Sequence, residues 1–500
     1  MGEDKNYNDI VVGGGISGMT AALLLAQAGR SVLLIEKAAS IGGSMIRFYR
    51  DGVPFDTGFH FTGGFGEGRL LMKMLGMLGI EDQISPIFLS RERSHRILIE
   101  GTGRSYDLPS GIDSLRDAVA AYFPKERPAI EVYFDKLTAV YQASAELIFQ
   151  EEDRPLVQLS GEDSVSLQEV LDELTKDEDL KAVLSIFCMC YGTKPSEVSF
   201  AAHSRVCFSL FESLARVERG GEAFIRAFRS RFKELGVDIL CNTQITGFGE
   251  ISNKTVQSFR LSNGEMVTFD SAIFTVHPSE ILKSLPREYV RPGFANRINE
   301  FEDSSGFFSI FATVDPPDDQ DDASIISLLP SLDMNKMLTP QPGDESAMVI
   351  VCSSETVRGR KVQTLTAFEP VSSEEVEPWR DTCSGERPEA YHQYKQERVM
   401  RILNRIERSC PEYKDRIHIV DSASTLTYRD WLNSPSGAAY GIRQKVGQMN
   451  LVGRLPFANL YAAGQSAVLP GIVGAMMSSF VVCRSILGVA HYPVQESVCN

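Results

Sequence analysis

Residues 9–36 read DIVVGGGISGMTAALLLAQAGRSVLLIE, a pattern that few folds accept. The apolar run 9–12 predicts a strand, the glycine turn 13–18 leads into a helix over 19–28, Gly29 closes that helix, and residues 31–35 predict a second, fully apolar strand. The result is a βαβ unit. Gly13, Gly15 and Gly18 give the G-x-G-x-x-G spacing between strand and helix, and Glu36 closes the second strand eighteen residues after Gly18. Gly13 permits the tight turn, Gly15 lets backbone approach a pyrophosphate, and Gly18 lets helix and strand pack closely. The helix N-terminus, with Ile16 and Ser17, then faces the phosphates, and Glu36, followed by Lys37, can accept hydrogen bonds from a ribose diol. A dinucleotide is predicted, with NAD and FAD both open.

The length of 500 residues corresponds to roughly three domain-sized units, and 43% hydrophobic with 23% charged residues excludes a disordered, collagen-like or disulfide-scaffold protein. A formal net charge of −16 argues against nucleic-acid binding. The nine cysteines are dispersed and form no CxxC pair, so free thiols in a reducing cytoplasm and no metal site are expected. The polar start MGEDKNYND resembles no leader, and Asn6 stands where a myristoylation signal needs Ser or Thr. Residues 455–483 carry no charge, enough to span a bilayer, but Gly464, Gln465, Ser466, Pro470, Gly471 and Gly474 interrupt them. A buried strand, a glycine-rich turn and a buried helix are expected there.

No second dinucleotide fingerprint or internal repeat is visible; Gly64, Gly66 and Gly68, and likewise Gly247 and Gly249, read as loop residues. Helical patterns fall at 114–122, 130–149, 167–174, 221–235 and 388–408, and strands at 236–249, 256–261, 266–276 and 345–369 with a turn at Asn263-Gly264. Residues 315–322 (DPPDDQDD) read as a solvated acidic loop. The stripe of Leu71, Met72, Met74, Leu75, Met77 and Leu78 reads as core, ahead of a tunnel wall or membrane-dipping face.

Further segments are Ile41-Gly42-Gly43-Ser44, the run FDTGFH at 55–60, LTYRDW at 426–431, GAAYG at 437–441 and LYAAGQSAVLPGIVGA at 460–475. Together with the first glycine turn they resemble the FAD-dependent phytoene desaturase, carotenoid isomerase and retinol saturase group of the amine oxidase-like flavoproteins. The likeness is strong over residues 8–80 and 424–488. It implies an α/β fold with a Rossmann-like FAD-binding domain assembled from residues 1–85, 215–285 and 450–490, an inserted α+β substrate domain from 86–214 and 286–449, and a tail at 491–500. A second glycine segment returning to the cofactor turns the expectation toward FAD.

Carried over by position, Gly13, Gly15, Gly18 and Glu36 would hold the ADP half. Gly42, Gly43, Ser44 and Gly58 would run beside the diphosphate, ribityl chain and flavin. Ile245 would offer backbone to adenine, while Gly464 and Gln465 would contact the ribityl diphosphate. Gly471, Ile472, Gly474 and Ala475 would open the last helix, with the Ile472 N–H near flavin N1, where a helix N-terminus stabilises charge by about 0.3–2 kcal/mol. Ser44 stands where many relatives carry arginine, and Gln465 where a carboxylate is common. His60 is the leading proton donor or contact for the polar end of a substrate, with a structural histidine as the alternative, and Tyr428, Arg429 and Tyr440 are candidates to line the cleft.

The implied activity is hydride transfer between flavin N5 and a C–C or C=C bond of a lipophilic isoprenoid or polyene, as saturase, desaturase or isomerase. Electrons would be exchanged with a separate partner such as a quinone, oxygen or a redox protein. Peripheral membrane contact and oligomeric state stay open. A flavin amine oxidase is a second reading, although tryptophan occurs only at 379 and 431. A prenyl-lipid-binding escort of the GDP-dissociation-inhibitor type is a third.

Overall fold

The computed structural model describes residues 5–66, 68–145, 160–315 and 325–488. The elements that position the site are, in chain order, β1 (Lys5–Val12), α1 (Ile16–Gln27), β2 (Val32–Ile35), β3 (Met266–Phe274), β4 (Gly306–Val314), β5 (Met348–Val357), β6 (Arg360–Val371), α2 (Glu389–Ser409), α3 (Thr425–Leu432), β7 (Leu460–Ala462) and α4 (Gly471–Leu487).

The N-terminal βαβ unit forms as the glycine pattern requires. β1 lies parallel to β2 on one side and to β3 on the other. Every residue of β2 is buried, as in strands covered by helices on both faces, and α1 is buried along nearly its whole length. The eight-stranded sheet also takes in Asp238–Leu240, Ile245–Phe248, Ser258–Leu261, Gly453–Arg454 and β7, which pairs in parallel with the last residues of β3. The uncharged stretch 455–483 thus resolves into β7, a turn and α4, with Met476, Phe480 and Cys483 fully buried. Among the described residues no helix is long and apolar enough to cross a membrane. The stripe at 71–78 is core: Leu71, Met74, Leu75 and Leu78 are fully buried in the cluster that holds α1 and α4.

Two expected strands are shorter than their sequence patterns. Residues 236–249 break into Asp238–Leu240 and Ile245–Phe248, with Asn242 at φ 51° between them, and the strand expected at 266–276 ends at Phe274. The acidic loop beyond Asp315, the helical pattern beyond 145 and the tail at 491–500 lie outside the described residues.

A second, seven-stranded sheet runs in the order Ile417–Ala423, β4, β6, β5, Ile325–Leu329, His95–Ile99, Arg104–Leu108. Its back face packs Phe308, Ile310 and Ala312 of β4 against Ile402 and Ile406 of α2. Inside that interface Arg405, 2% exposed, reaches Glu100 Oε2 at 2.6 Å, Glu369 Oε2 at 2.9 Å and the Ser346 carbonyl at 2.8 Å. Without Arg405, buried Glu369 keeps only Arg398, and Glu100 keeps only the distant Arg408 and the Ser409 hydroxyl, so two buried carboxylates share too little positive charge and Arg405→Met is expected to destabilise the protein by about 3 kcal/mol. A chemical-denaturation midpoint unchanged from wild type would contradict this.

Candidate functional site

α1 follows β1, α4 follows β7, and both strands run parallel to β3, so the two helices begin at the same edge of the sheet. Neither N-terminus is capped by a side chain: the capping residues are Gly15 and Pro470, and no acidic residue occupies either first turn. Each therefore presents unpaired N–H groups and the positive end of a helix dipole. The space beside them is open, since a methyl group built on Gly15 or Gly471 would meet no atom within 4 Å. Gly18 is the opposite case: a Cβ there would lie 1.8 Å from the Gly13 carbonyl oxygen, so α1 can cross this close to the strand only without a side chain. A Cβ on Gly474 would likewise lie 2.3 Å from the Leu469 carbonyl oxygen, and Ala475 is buried beside it.

The two helices are joined directly. Ser17 Oγ lies 2.6 Å from Ser479 Oγ, and the Gly464 N–H donates to Ser478 Oγ at 2.8 Å. The Ser17 hydroxyl and the Gly464 amide are thereby engaged by α4. The backbone of both first turns, Gly15, Ile16 and Ser17 at α1 and Gly471 and Ile472 at α4, borders the open space.

Glu36 accepts from the Gly14 N–H at 2.6 Å with Oε2 and from the Ala38 N–H at 2.7 Å with Oε1. Each oxygen keeps a lone pair for a ribose hydroxyl. Lys37 is exposed. The Thr243 N–H donates to the Glu36 carbonyl at 3.0 Å, which carries Ile245 past the end of β2. Gly42 donates to the Gly14 carbonyl at 2.7 Å and Gly43 packs on Gly15, so residues 42–44 line the same turn. The Thr57 hydroxyl donates to the Ser44 carbonyl at 3.2 Å and Gly58 packs on Ser44, which leads the chain to His60. On the far side Ser466 sits against Gly441, and Gln444 Nε2 donates to the Gln465 carbonyl at 3.0 Å. The Gln465 side chain packs near Gly441.

The seven-stranded sheet closes over this edge with its front face. His60 stacks on Phe368 with ring centroids 5.1 Å apart, Phe368 meets Phe307 edge-on at 5.3 Å, and Phe307 meets Tyr440 at 6.1 Å. Ser309, directly across from Phe368, shares a 2.6 Å hydrogen bond with the Tyr428 hydroxyl. His60, Tyr428 and Tyr440 are therefore brought to one aromatic floor. Arg429 is not: on α3 it points away and is held by Asp430 and by the Arg380 and Thr382 carbonyls, so its expected place in the cleft is corrected to that of a clamp. Consecutive helical residues diverge by about 100°, which separates it from Tyr428.

Burial, together with nearby Arg216, holds His60 down to about 4, so it is uncharged at neutral pH. Burial pushes Tyr428 up to about 12 and Tyr440 well above its ordinary value, and both keep their protons. The floor thus carries no charge.

The sequence reading missed the ionic group beneath it. Arg47 Nε lies 2.9 Å from Asp56 Oδ1, and its other guanidinium nitrogen reaches Glu355 at 2.5 Å. Arg216 approaches Asp56 at 3.5 Å and Glu355 at 3.8 Å. Arg47 and Asp56 face each other across one hairpin (Arg47–Arg50 with Val53–Asp56), whereas Arg216 and Glu355 come from two distant segments, and no local pattern joins the three.

Residues 16–487 match the flavin-containing amine oxidoreductase family, and the chain belongs to it. Its curated relatives include the all-trans-retinol 13,14-reductase of Danio rerio, 24% identical over 97% of this chain and 86% of that protein. The chloroplastic prolycopene isomerase of Daucus carota is 26% identical over 31% of this chain and 25% of that protein. A crystal structure of an oxidoreductase from Methanosarcina mazei superposes with a TM-score of 0.66 at 16% identity, covering 95% of this chain and 99% of that one. The protein is an FAD-dependent oxidoreductase of the α/β amine oxidase-like fold, similar to the retinol reductases and carotenoid isomerases. The two uncapped helix N-termini, the open space at Gly15 and Gly471 and the carboxylate of Glu36 fit this cofactor.

Proposed function

We propose that this protein acts on a carbon–carbon bond of a retinoid- or carotenoid-like polyene. The supporting observation is the uncharged aromatic floor of His60, Phe368, Phe307 and Tyr440 on the sheet face beside the nucleotide edge. FAD, when bound, supplies hydride exchange at its N5. The chain's own residues then have simpler tasks. The aromatic rings take up the hydrocarbon, since burying several hundred Å² at about 25 cal/mol per Å² gives on the order of 10 kcal/mol before association costs. Tyr428 and Tyr440 hold phenolic protons within this floor, and neutral His60 offers an N–H and a ring-nitrogen acceptor in place of an imidazolium charge. Held down to about 4, His60 is better suited to contact a polar group than to act as the acid.

Dithionite-reduced holoenzyme mixed anaerobically with all-trans-retinol is expected to reoxidise its flavin and yield a product two mass units heavier, detected by chromatography and mass spectrometry. An isomer of unchanged mass would assign a redox-neutral reaction within the same reading. Flavin reduction by amines, with polyenes leaving the spectrum untouched, would overturn it.

A further inference from the structure

The front face of the seven-stranded sheet changes character along its strands. Three rows cross β4, β6 and β5 in register: Ser309, Phe368 and Val349; then Phe311, Thr366 and Val351; then Thr313, Thr364 and Ser353. Alternate residues of a strand share a face and lie about 7 Å apart, so the floor passes from aromatic to hydroxyl-bearing within the length of a short polyene. His60 stands at the boundary, stacked on Phe368 and lining the crevice that follows. There the hairpin residues Pro54, Phe55 and Asp56 close over Thr366, Thr364 and Ser353.

Several polar atoms at this end lack partners. Arg216, 6% exposed, lines the crevice, and its buried Nε meets no acceptor. Its contacts to Asp56 and Glu355, at 3.5 and 3.8 Å, are long for ion pairs. Ser353 and Thr364 satisfy each other at 3.0 Å, whereas the Thr366 hydroxyl and the His60 ring nitrogens have no hydrogen-bond partner among the described residues. The Arg216 Nε is thus a buried donor without an acceptor, and a ligand oxygen placed here would satisfy it. Charge decides which oxygen. The guanidinium groups of Arg47 and Arg216 face the carboxylates of Asp56 and Glu355, so the group is formally neutral and offers no net attraction to an anion.

We propose that this crevice receives a terminal hydroxyl of the polyene, with Arg216 and Thr366 as the residues that set specificity for it. The hydroxyl oxygen accepts from the Arg216 guanidinium or from the Thr366 hydroxyl, and the hydroxyl donates a hydrogen bond to a ring nitrogen of His60. This rests on the polyene reading above and adds to it a direction, polar end under the hairpin and hydrocarbon over Phe368 and Phe307.

The test uses oxidised holoenzyme, which binds without turnover. Dissociation constants are measured by fluorescence titration for all-trans-retinol, for the hydrocarbon in which hydrogen replaces its hydroxyl, and for all-trans-retinoic acid. Thr366→Val, which keeps side-chain shape, is expected to lower the preference for alcohol over hydrocarbon about tenfold, and Arg216→Met to lower it at least as far. Should Arg216→Met fail to fold because Asp56 and Glu355 lose a partner, Thr366→Val reads the effect alone. An alcohol preference equal in wild type and Thr366→Val, or tighter binding of the acid than of the alcohol, overturns the proposal. Binding of alcohol and hydrocarbon with equal affinity by the wild type would leave the polyene reading standing and remove this one. Failure of all three ligands to bind would remove both.

Discussion

Gly18→Ala is expected to yield protein without flavin. The added Cβ would sit 1.8 Å from the Gly13 carbonyl oxygen and 3.0 Å from both the Gly13 carbonyl carbon and Thr275 Oγ1. Gly13 cannot step aside, because its own φ is +104° and its carbonyl accepts from the Thr275 hydroxyl at 3.1 Å. The clash is with backbone, so α1 must lift off the strand. Lifting α1 moves its N–H groups away from the phosphates and pulls Ser17 from Ser479. Overpacking of this kind costs about 1–3 kcal/mol even when side chains can yield, and a loss near 3 kcal/mol corresponds to about 100-fold in FAD affinity. Gly15→Ala separates the causes: its φ of −71° suits alanine and its Cβ meets nothing within 4 Å, so that variant is expected to fold with a normal melting curve while its methyl group occupies the cradle. The ratio of absorbance at about 450 nm to that at 280 nm reads both. Full flavin content in either variant would contradict the placement of the phosphates.

The second large effect is on stability below neutral pH. His95, 2% exposed, shares a 2.8 Å hydrogen bond with Ser327, and His203, fully buried, sits between the Tyr133 and Tyr191 hydroxyls at 2.7 and 2.8 Å. Burial holds each down to about 3 from the ordinary 6.5. Below pH 6.5 the unfolded chain binds a proton at each site that the native protein does not, so acid favours unfolding. Their contribution to stability is complete above pH 6.5 and is lost as pH falls toward 3, at about 1.4 kcal/mol per pH unit for each histidine. Asp56 and Glu369, raised by burial, act in the opposite sense. His95→Gln isolates the effect. Denaturant titrations between pH 6 and 4 are expected to show a stability slope shallower than wild type by about 1.4 kcal/mol per unit. Parallel curves would refute the assignment.

The nucleotide half was readable because its determinants are local. A glycine spacing, a helix start and an acidic strand end all sit within residues 9–36, and the physics of a βα turn leaves little choice among them. The uncharged run 455–483 was readable for a similar reason, as glycine and proline break a span but suit a turn before a buried helix. The front face of the second sheet was not. β4 is a run of buried apolar residues with no clean alternation, so the sequence does not reveal that Phe307, Ser309 and Phe311 face one way and Phe308 and Ile310 the other. The ionic group was less accessible still, since Arg47 and Glu355 are separated by 308 positions. Arg429 shows the limit of adjacency: it neighbours Tyr428 in the chain but lies on another side of the helix.

The pairing of β7 with β3, and of α4 with α1, also bears on how the chain is made. The first βαβ unit leaves the ribosome well before the strand and helix that finish its cofactor edge, which lie beyond residue 459. At roughly 5–20 residues per second, synthesis of the intervening chain takes on the order of a minute. Until Leu460–Ala462 is made, the backbone of Ala272–Phe274 has no such neighbour, and flavin cannot be gripped from both sides. Insertion of the coenzyme thereby waits until the chain has been made through α4.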